Sequence, residues 1–219
     1  MEADRTVVLP PMLHPSGRDG FYGRRAELRR DFAIPPSAML AVSVAVYPKR
    51  KGLDRSIAAL RDLPGLHLLV VGLRAKDAVS ARTLAAKHGV EARTCLLGHR
   101  DDVADILGAA DLMLNPARVD NTGLIIVESL LAGVPVVATA ACGFSEYIER
   151  FGAGIVVAEP FDPAAYVAAI RTAIEPHTLA ELKSRARDSA PRLSAEGGLE
   201  RILDAIEEVL RRRAARRAA

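Results

Sequence analysis

Aromatic residues are scarce: five Phe, four Tyr and no Trp make up 4% of the 219 residues. That argues against an RNA-stacking platform or an aromatic carbohydrate cradle, both of which need ring faces. Cysteine is nearly missing as well. Cys95 and Cys142 make no disulfide framework and fit a reducing compartment. No apolar run approaches the roughly 20 residues that a membrane span needs, and the opening MEADRTVVLPP lacks the apolar core of a signal peptide. The expected location is therefore cytoplasmic. The body of the chain also lacks a basic excess. Lys and Arg outnumber Asp and Glu 30 to 27, but the last nine residues, RRRAARRAA, hold five of the arginines; the remainder carries 25 basic and 27 acidic residues, a net of −2. A basic body that would grip nucleic acid is excluded. The Arg-rich end has the charge for peripheral contact with the inner face of an anionic membrane, where each Arg is worth about 1 kcal/mol. A solvated, fraying helix end is the plainer reading.

What is present is apolar: half of the residues, enough to bury a large core. The middle of the chain alternates buried strands with amphipathic helices. MLAVSVAVY (39–47), LHLLVVGL (66–73), ARTCLLG (92–98), DLMLNP (111–116), VPVVATA (134–140) and AGIVVAE (153–159) read as strands that are apolar on both faces. Between them GLDRSIAALRDL, AKDAVSARTLAAKHG, DDVADILGAA, GLIIVESLLAG and SEYIERFG read as helices, several closed by Gly. The alternation predicts right-handed βαβ units and an α/β domain with a doubly wound, Rossmann-like parallel sheet over 37–175. Residues 1–36 read as a connector: a short strand, a Pro/Gly-rich loop and a basic helix around 21–33. Residues 176–219 read as two helices, 178–190 and 197–215, joined by SAPRLSAEGG, with the Arg-rich tail after them.

In such folds ligands sit beyond the carboxyl ends of the strands, so the turns there carry the candidates. Pro48-Lys49-Arg50-Lys51-Gly52 opens a helix with three cations, an arrangement that is mildly unfavourable unless an anion such as a diphosphate joins it; an exposed charge cluster is the alternative. Asp120-Asn121-Thr122-Gly123-Leu124 offers N-cap side chains at Asp120 and Asn121 and a glycine that allows close approach. Glu128 follows within IIVESLLAG, where a carboxylate needs partners; sugar hydroxyls or a protein cation would both serve. His99-Arg100 after a strand could line a site or lie on solvated surface. Cys142 has no partner His nearby and reads as a small buried thiol. Gly-x-Ser-x-Gly, His-Glu-x-x-His, Gly-x-Gly-x-x-Gly and Walker A patterns are absent, and the scattered histidines (14, 67, 88, 99 and 177) propose no metal site.

Arg50-Lys51-Gly52-Leu53-Asp54-Arg55-Ser56, then Ala109-Ala110-Asp111-Leu112 with Asn115-Pro116-Ala117, then Asn121-Thr122-Gly123 and Glu128, then Ala132-Gly133-Val134-Pro135-Val136, form an ordered set. From Leu9 to about residue 190 the chain resembles the C-terminal, donor-binding domain of family 4 glycosyltransferases of the GT-B fold. Cys142-Gly143-Phe144, Tyr147-Ile148 and Glu159-Pro160-Phe161 are similar to the lipopolysaccharide core glucosyltransferases in particular. The resemblance implies a retaining hexosyltransferase that moves glucose from UDP-glucose to a glycan or lipid-linked acceptor, with the nucleotide sugar as substrate and no cofactor or metal. The family's paired carboxylates fall on Asp120, beside the donor sugar, and Glu128, on the ribose hydroxyls. Its Arg-Lys pair, which neutralises the diphosphate, falls on Arg50 and Lys51. Backbone N–H groups at Thr122, Gly123 and Leu124 add to that anion site, and the turn Gly98-His99-Arg100 lies near the nucleobase. Two departures stand out: Asp120 replaces the usual Glu, setting its carboxylate back by one methylene, and Ala45 stands at a strand-end glycine. The resemblance also implies an N-terminal acceptor domain that is missing here. The alternative is a non-catalytic nucleotide-sugar binding module or a truncated fragment lacking the acceptor half.

Overall fold

The structure is a computed structural model in which residues 23–195 and 198–218 are described. The apolar runs become six strands: β1 (Met39–Val44), β2 (Leu66–Val71), β3 (Thr94–Leu96), β4 (Leu112–Asn115), β5 (Val136–Thr139) and β6 (Gly154–Val157). All pair in parallel, in the order β3-β2-β1-β4-β5-β6. The crossovers hold α2 (Leu53–Ala59), α3 (Ala75–His88), α4 (Val103–Ala109), α5 (Leu124–Leu131) and α6 (Ser145–Phe151). Helix α1 (Arg25–Asp31) precedes the sheet, and α7 (Pro163–Ala173), α8 (Pro176–Ala195) and α9 (Gly198–Ala218) follow it. This is the doubly wound α/β arrangement that the alternation predicts.

Strands β1, β2, β4 and β5 are buried on both faces, which is why they are apolar without alternation, while the edge strands β3 and β6 are largely half-buried. Leu66, Leu68 and Val70 of β2 pack with Leu53, Ile57 and Leu60 below α2 and with Tyr166 and Ile170 of α7, forming one core layer. Helices α4, α5 and α6 pack on one another and against β1, β4, β5 and β6, with α1 against α4. Each fully buried Leu, Ile or Val there contributes about 1.5–3 kcal/mol.

The base of β4 is fastened electrostatically. The Asp111 carboxylate is buried and accepts from Arg25 Nη2 at 2.6 Å, Arg29 Nη2 at 2.7 Å, Lys183 Nζ at 2.7 Å and the Leu40 amide at 3.0 Å. Arg25 and Arg29 also donate to the Ala109 carbonyl at the end of α4. Asp111 therefore joins α1, α8, β1 and β4, at the end of the sheet opposite the carboxyl-end crevice.

Several boundaries differ from the sequence reading. The strand and loop read before residue 21 lie outside the described residues, and the basic helix there shortens to α1. The run at 39–47 leaves the sheet after Val44, and Val46 and Tyr47 turn outward to solvent. The run at 92–98 keeps only three strand residues, because β3 is an edge strand paired with β2 alone. The junction SAPRLSAEGG is not all loop: α8 continues through Pro191 to Ala195. Leu182, Ala186 and Ser189 are already buried along that helix, so it reaches Pro191 anchored and tolerates the missing N–H. The described residues up to Ala190 form one compact unit, and a second begins at Pro191. No described helix is long and apolar enough to cross a membrane.

Candidate functional site

Strand order reverses between β1 and β4, so the crevice beyond their carboxyl ends is the ligand position of this fold. Three loops border it: 45–52 after β1, 116–123 after β4 and 140–144 after β5. Backbone bonds knit the second to the third. Asp120 N donates to Ala141 O at 3.1 Å, Gly143 N to Asp120 O at 3.0 Å and Phe144 N to Thr122 O at 2.6 Å. Thr139 Oγ1 donates to Ala117 O at 2.7 Å, and Arg55 reaches Pro116 O and Ala117 O while stacking on Phe161. Arg118 ties the second loop to the first, through Arg50 O, Lys49 O and the Asp54 carboxylate.

On this scaffold Lys51 Nζ meets Asp120 Oδ2 at 2.6 Å, both side chains being largely buried. Glu128, half-buried on α5, has no hydrogen bond to its carboxylate among the described residues. Burial pushes its pKa above the ordinary carboxylate range, and the Lys51 charge offsets part of that rise. Lys51 is thus the ion-pair partner of Asp120, and its charge reaches Glu128 without a salt bridge. The N–H groups of Thr122, Gly123 and Leu124 likewise have no partner among the described residues, and Arg50 lies over the Tyr47 ring without a carboxylate. A free cation at Arg50 and free amides beside one unsatisfied carboxylate can hold a ligand that is anionic at one end and rich in hydroxyls at the other.

The sequence-selected residues divide into two groups. Lys51, Asp120, Gly123 and Glu128 come together, with Arg50, Asn121, Thr122 and Leu124 on the same loops. Gly98, His99 and Arg100 lie on the loop after the edge strand β3; His99 is exposed and faces Asp101 at 3.2 Å, and Arg100 forks onto Asp102 at 2.6 and 2.8 Å. Neither Asp120 nor Asn121 caps α5. The N-cap is Gly123, in the left-handed region at φ 73°, with no side-chain cap, because Asp120 is committed to Lys51 instead. Helix α2 has only seven residues, so an anion at the first loop would rely on the cations more than on a helix dipole. Cys142 is buried against Asn115 and Thr139 with its thiol pushed up to about 11, chiefly by burial, which leaves it protonated and unreactive at neutral pH. No group of three or more His, Cys, Asp or Glu that could hold a metal occurs among the described residues. The sequence alone assigns no role to Arg118 or to Arg55, whose partners lie about sixty positions away and carry no local signature.

Comparison with known proteins places this geometry in context. Residues 24–192 match the family described as glycosyl transferases group 1. The lipopolysaccharide glucosyltransferase WaaG of Escherichia coli K12 is 36% identical over 167 residues, covering 73% of this chain and 44% of WaaG. A crystal structure of WaaG superposes with a TM-score of 0.84 at 32% identity, covering 94% of this chain and 57% of that one. Anabaena Alr3699/HepE, solved with UDP and glucose, shares the fold at a TM-score of 0.80 and 22% identity, over 94% of this chain and 57% of its own. The chain spans about half the length of the curated relatives it matches.

Proposed function

The chain belongs to the group 1 glycosyl transferases, and we propose that it is the donor-binding half of a retaining, family 4 hexosyltransferase. It would move glucose from UDP-glucose to a lipopolysaccharide core or related glycan. The observation that carries the reading is Glu128, a half-buried carboxylate without a hydrogen bond among the described residues, its burial offset only in part by the charge of Lys51, the ion-pair partner of Asp120. Protein chemistry alone gives such a group no reason to stay out of water; ribose hydroxyls would satisfy it.

In this reading Arg50 and Lys51 meet the donor diphosphate, assisted by the amides of Thr122, Gly123 and Leu124. Their fixed charge would stabilise the departing nucleoside diphosphate without a metal, because it is already in place when the sugar–phosphate bond breaks. Asp120 lies beside the donor sugar, and the turn at Gly98, His99 and Arg100 borders the nucleobase. The acceptor would be held by a second, N-terminal domain across the crevice. Glucose as the donor sugar follows from the likeness to WaaG, whose name describes a glucosyltransferase.

Calorimetric titration of the purified chain with UDP, UDP-glucose, GDP and ADP, without divalent metal, tests this. Selective uridine-nucleotide binding that the double substitution Arg50→Ala, Lys51→Ala abolishes is the expected result; unchanged binding in the double variant overturns the assignment. A non-catalytic binding module is favoured by one observation, the short Asp120 side chain held by Lys51. Transfer of glucose to acceptor by the chain with its acceptor domain supplied would exclude that alternative. Peripheral contact with anionic lipid belongs to the same proposal: α9 exposes Leu203, Ile206, Val209 and Leu210 ahead of the Arg run. Co-sedimentation with phosphatidylglycerol vesicles, lost in high salt, is the check.

A further inference from the structure

Arg118 lies two residues before Asp120, yet its contacts all reach the loop after β1 and the first turn of α2. Its backbone N–H donates to Arg50 O at 2.8 Å, Nη1 donates to Lys49 O at 2.8 Å, and the guanidinium forks onto Asp54 through Nη1–Oδ1 and Nη2–Oδ2, both at 2.7 Å. Two consequences follow. Holding the Lys49 carbonyl fixes the planar peptide that follows it, and with it the direction of the Arg50 N–H. The second consequence is electrostatic. Asp54 is three residues past Lys51 and four past Arg50, the carboxylate nearest in sequence to the cationic turn. Among the described residues neither Lys49 nor Arg50 has a carboxylate partner, while Asp54 has Arg118. Both members of that pair are more than a third exposed, so the pair itself adds little to stability.

We propose that Arg118 is a positioning residue that occupies Asp54 and holds the Lys49 and Arg50 carbonyls, keeping the cations of this turn available to a nucleoside diphosphate. The inference rests on the donor-site reading above and names a residue through which that site is tuned. Without Arg118, Asp54 turns on the neighbouring cations and repels the ligand's phosphates. Removing Asp54 as well takes away the competitor.

Calorimetric titration of the chain with UDP separates the possibilities, using Arg118→Gln, Asp54→Asn, the double variant and Arg118→Lys. Arg118→Gln should weaken UDP about tenfold, the scale of one uncompensated charge close to a diphosphate in solvent. Asp54→Asn should bind at least as tightly as the unaltered chain, and the double variant should recover most of the loss. Arg118→Lys, which keeps the charge without the fork, should fall between. Thermal midpoints should stay close together throughout. A merely structural clamp would leave the double variant as weak as Arg118→Gln, and that result overturns the proposal. So does unchanged affinity in Arg118→Gln. If the unaltered chain itself fails to bind UDP, the donor-site reading falls first and this inference with it.

Discussion

Glu128 shows how far a single residue can point toward a ligand. An acid in the sequence IIVESLLAG needs compensation, and among the described residues the charge of Lys51 supplies only part of it. Because burial raises its pKa above the ordinary carboxylate range, the native state holds the Glu128 proton more tightly than the unfolded chain does. The charge therefore weighs against folding once the pH exceeds the unfolded pKa, and fully so above the folded one. Glu128→Gln should leave the ligand-free chain as stable or more stable at neutral pH, with the difference vanishing on the acid side. The same substitution should weaken UDP about tenfold, since hydrogen bonds to a charged acceptor contribute about 1.5–3 kcal/mol. Thermal melts at acid and neutral pH, beside a UDP titration, read both halves; lower stability at neutral pH would contradict the account. Lys51 makes the opposite prediction. Lys51→Met leaves the Asp120 carboxylate buried without its cation and should destabilise by about 2–4 kcal/mol, most of it recovered in Lys51→Met, Asp120→Asn. Urea unfolding of the two variants checks it. Lys51, Asp120 and Glu128 were legible in the sequence because each sits in a short local pattern after a strand. The Arg118–Asp54 pair was not, since nothing near either residue announces a partner 64 positions away.

At the scale of elements, the sheet is legible almost completely in apolar runs, because strands covered on both faces admit few polar residues, Ser43, Asn115 and Thr139 being the buried exceptions. Their ends were read less well. Val46 and Tyr47 look like strand and behave as turn, and α8 runs through a proline that local propensity treats as a stop. In both places tertiary packing decides what local sequence leaves open. The turn between β1 and α2 depends most on one residue. Gly52 has φ 69°, and a Cβ there would fall 1.9 Å from the Pro116 carbonyl oxygen, which also accepts from Arg55. The loops after β1 and β4 can thus approach only across a glycine. Gly52→Ala adds a left-handed strain of about 1–2 kcal/mol to a clash that backbone must move to relieve. We expect a loss of about 3 kcal/mol in urea unfolding. UDP binding should fall with it, because Lys51 and Asp120 would be pushed out of register. Stability lost with UDP affinity intact would show that the two loops need not meet for the ligand to bind.

For the molecule as a whole, the end of the sheet away from the site governs how the fold responds to acid. Burial alone would raise the Asp111 pKa, but hydrogen bonds from Lys183 and the Leu40 amide, with the charges of Lys183 and Arg25, outweigh it and hold the carboxyl below the ordinary range. A group depressed in this way contributes stability above its unfolded pKa and loses it as the pH falls through its folded one. Asp102, held down by Arg100, shifts in the same direction but near the surface, where such pairs contribute little. Glu128 shifts the opposite way. The acid limb of the stability curve should therefore belong largely to Asp111. In Asp111→Asn, Arg29 stays almost fully buried without its counter-charge, so stability at neutral pH should drop by about 3–5 kcal/mol. The loss should shrink as the pH falls below the carboxylate range, because the unaltered protein is then losing the same interaction by protonation. Urea unfolding at a series of pH values gives the two curves, which should converge at the acid end; parallel curves would mean that Asp111 acts through packing and not through charge. Hydrogen exchange supplies a spatial check. Since Asp111 fastens α1 and α8 to β4, the substitution should speed exchange in those two helices before it reaches the loops around Lys51 and Asp120, and the crevice should outlast the latch at the opposite end of the sheet.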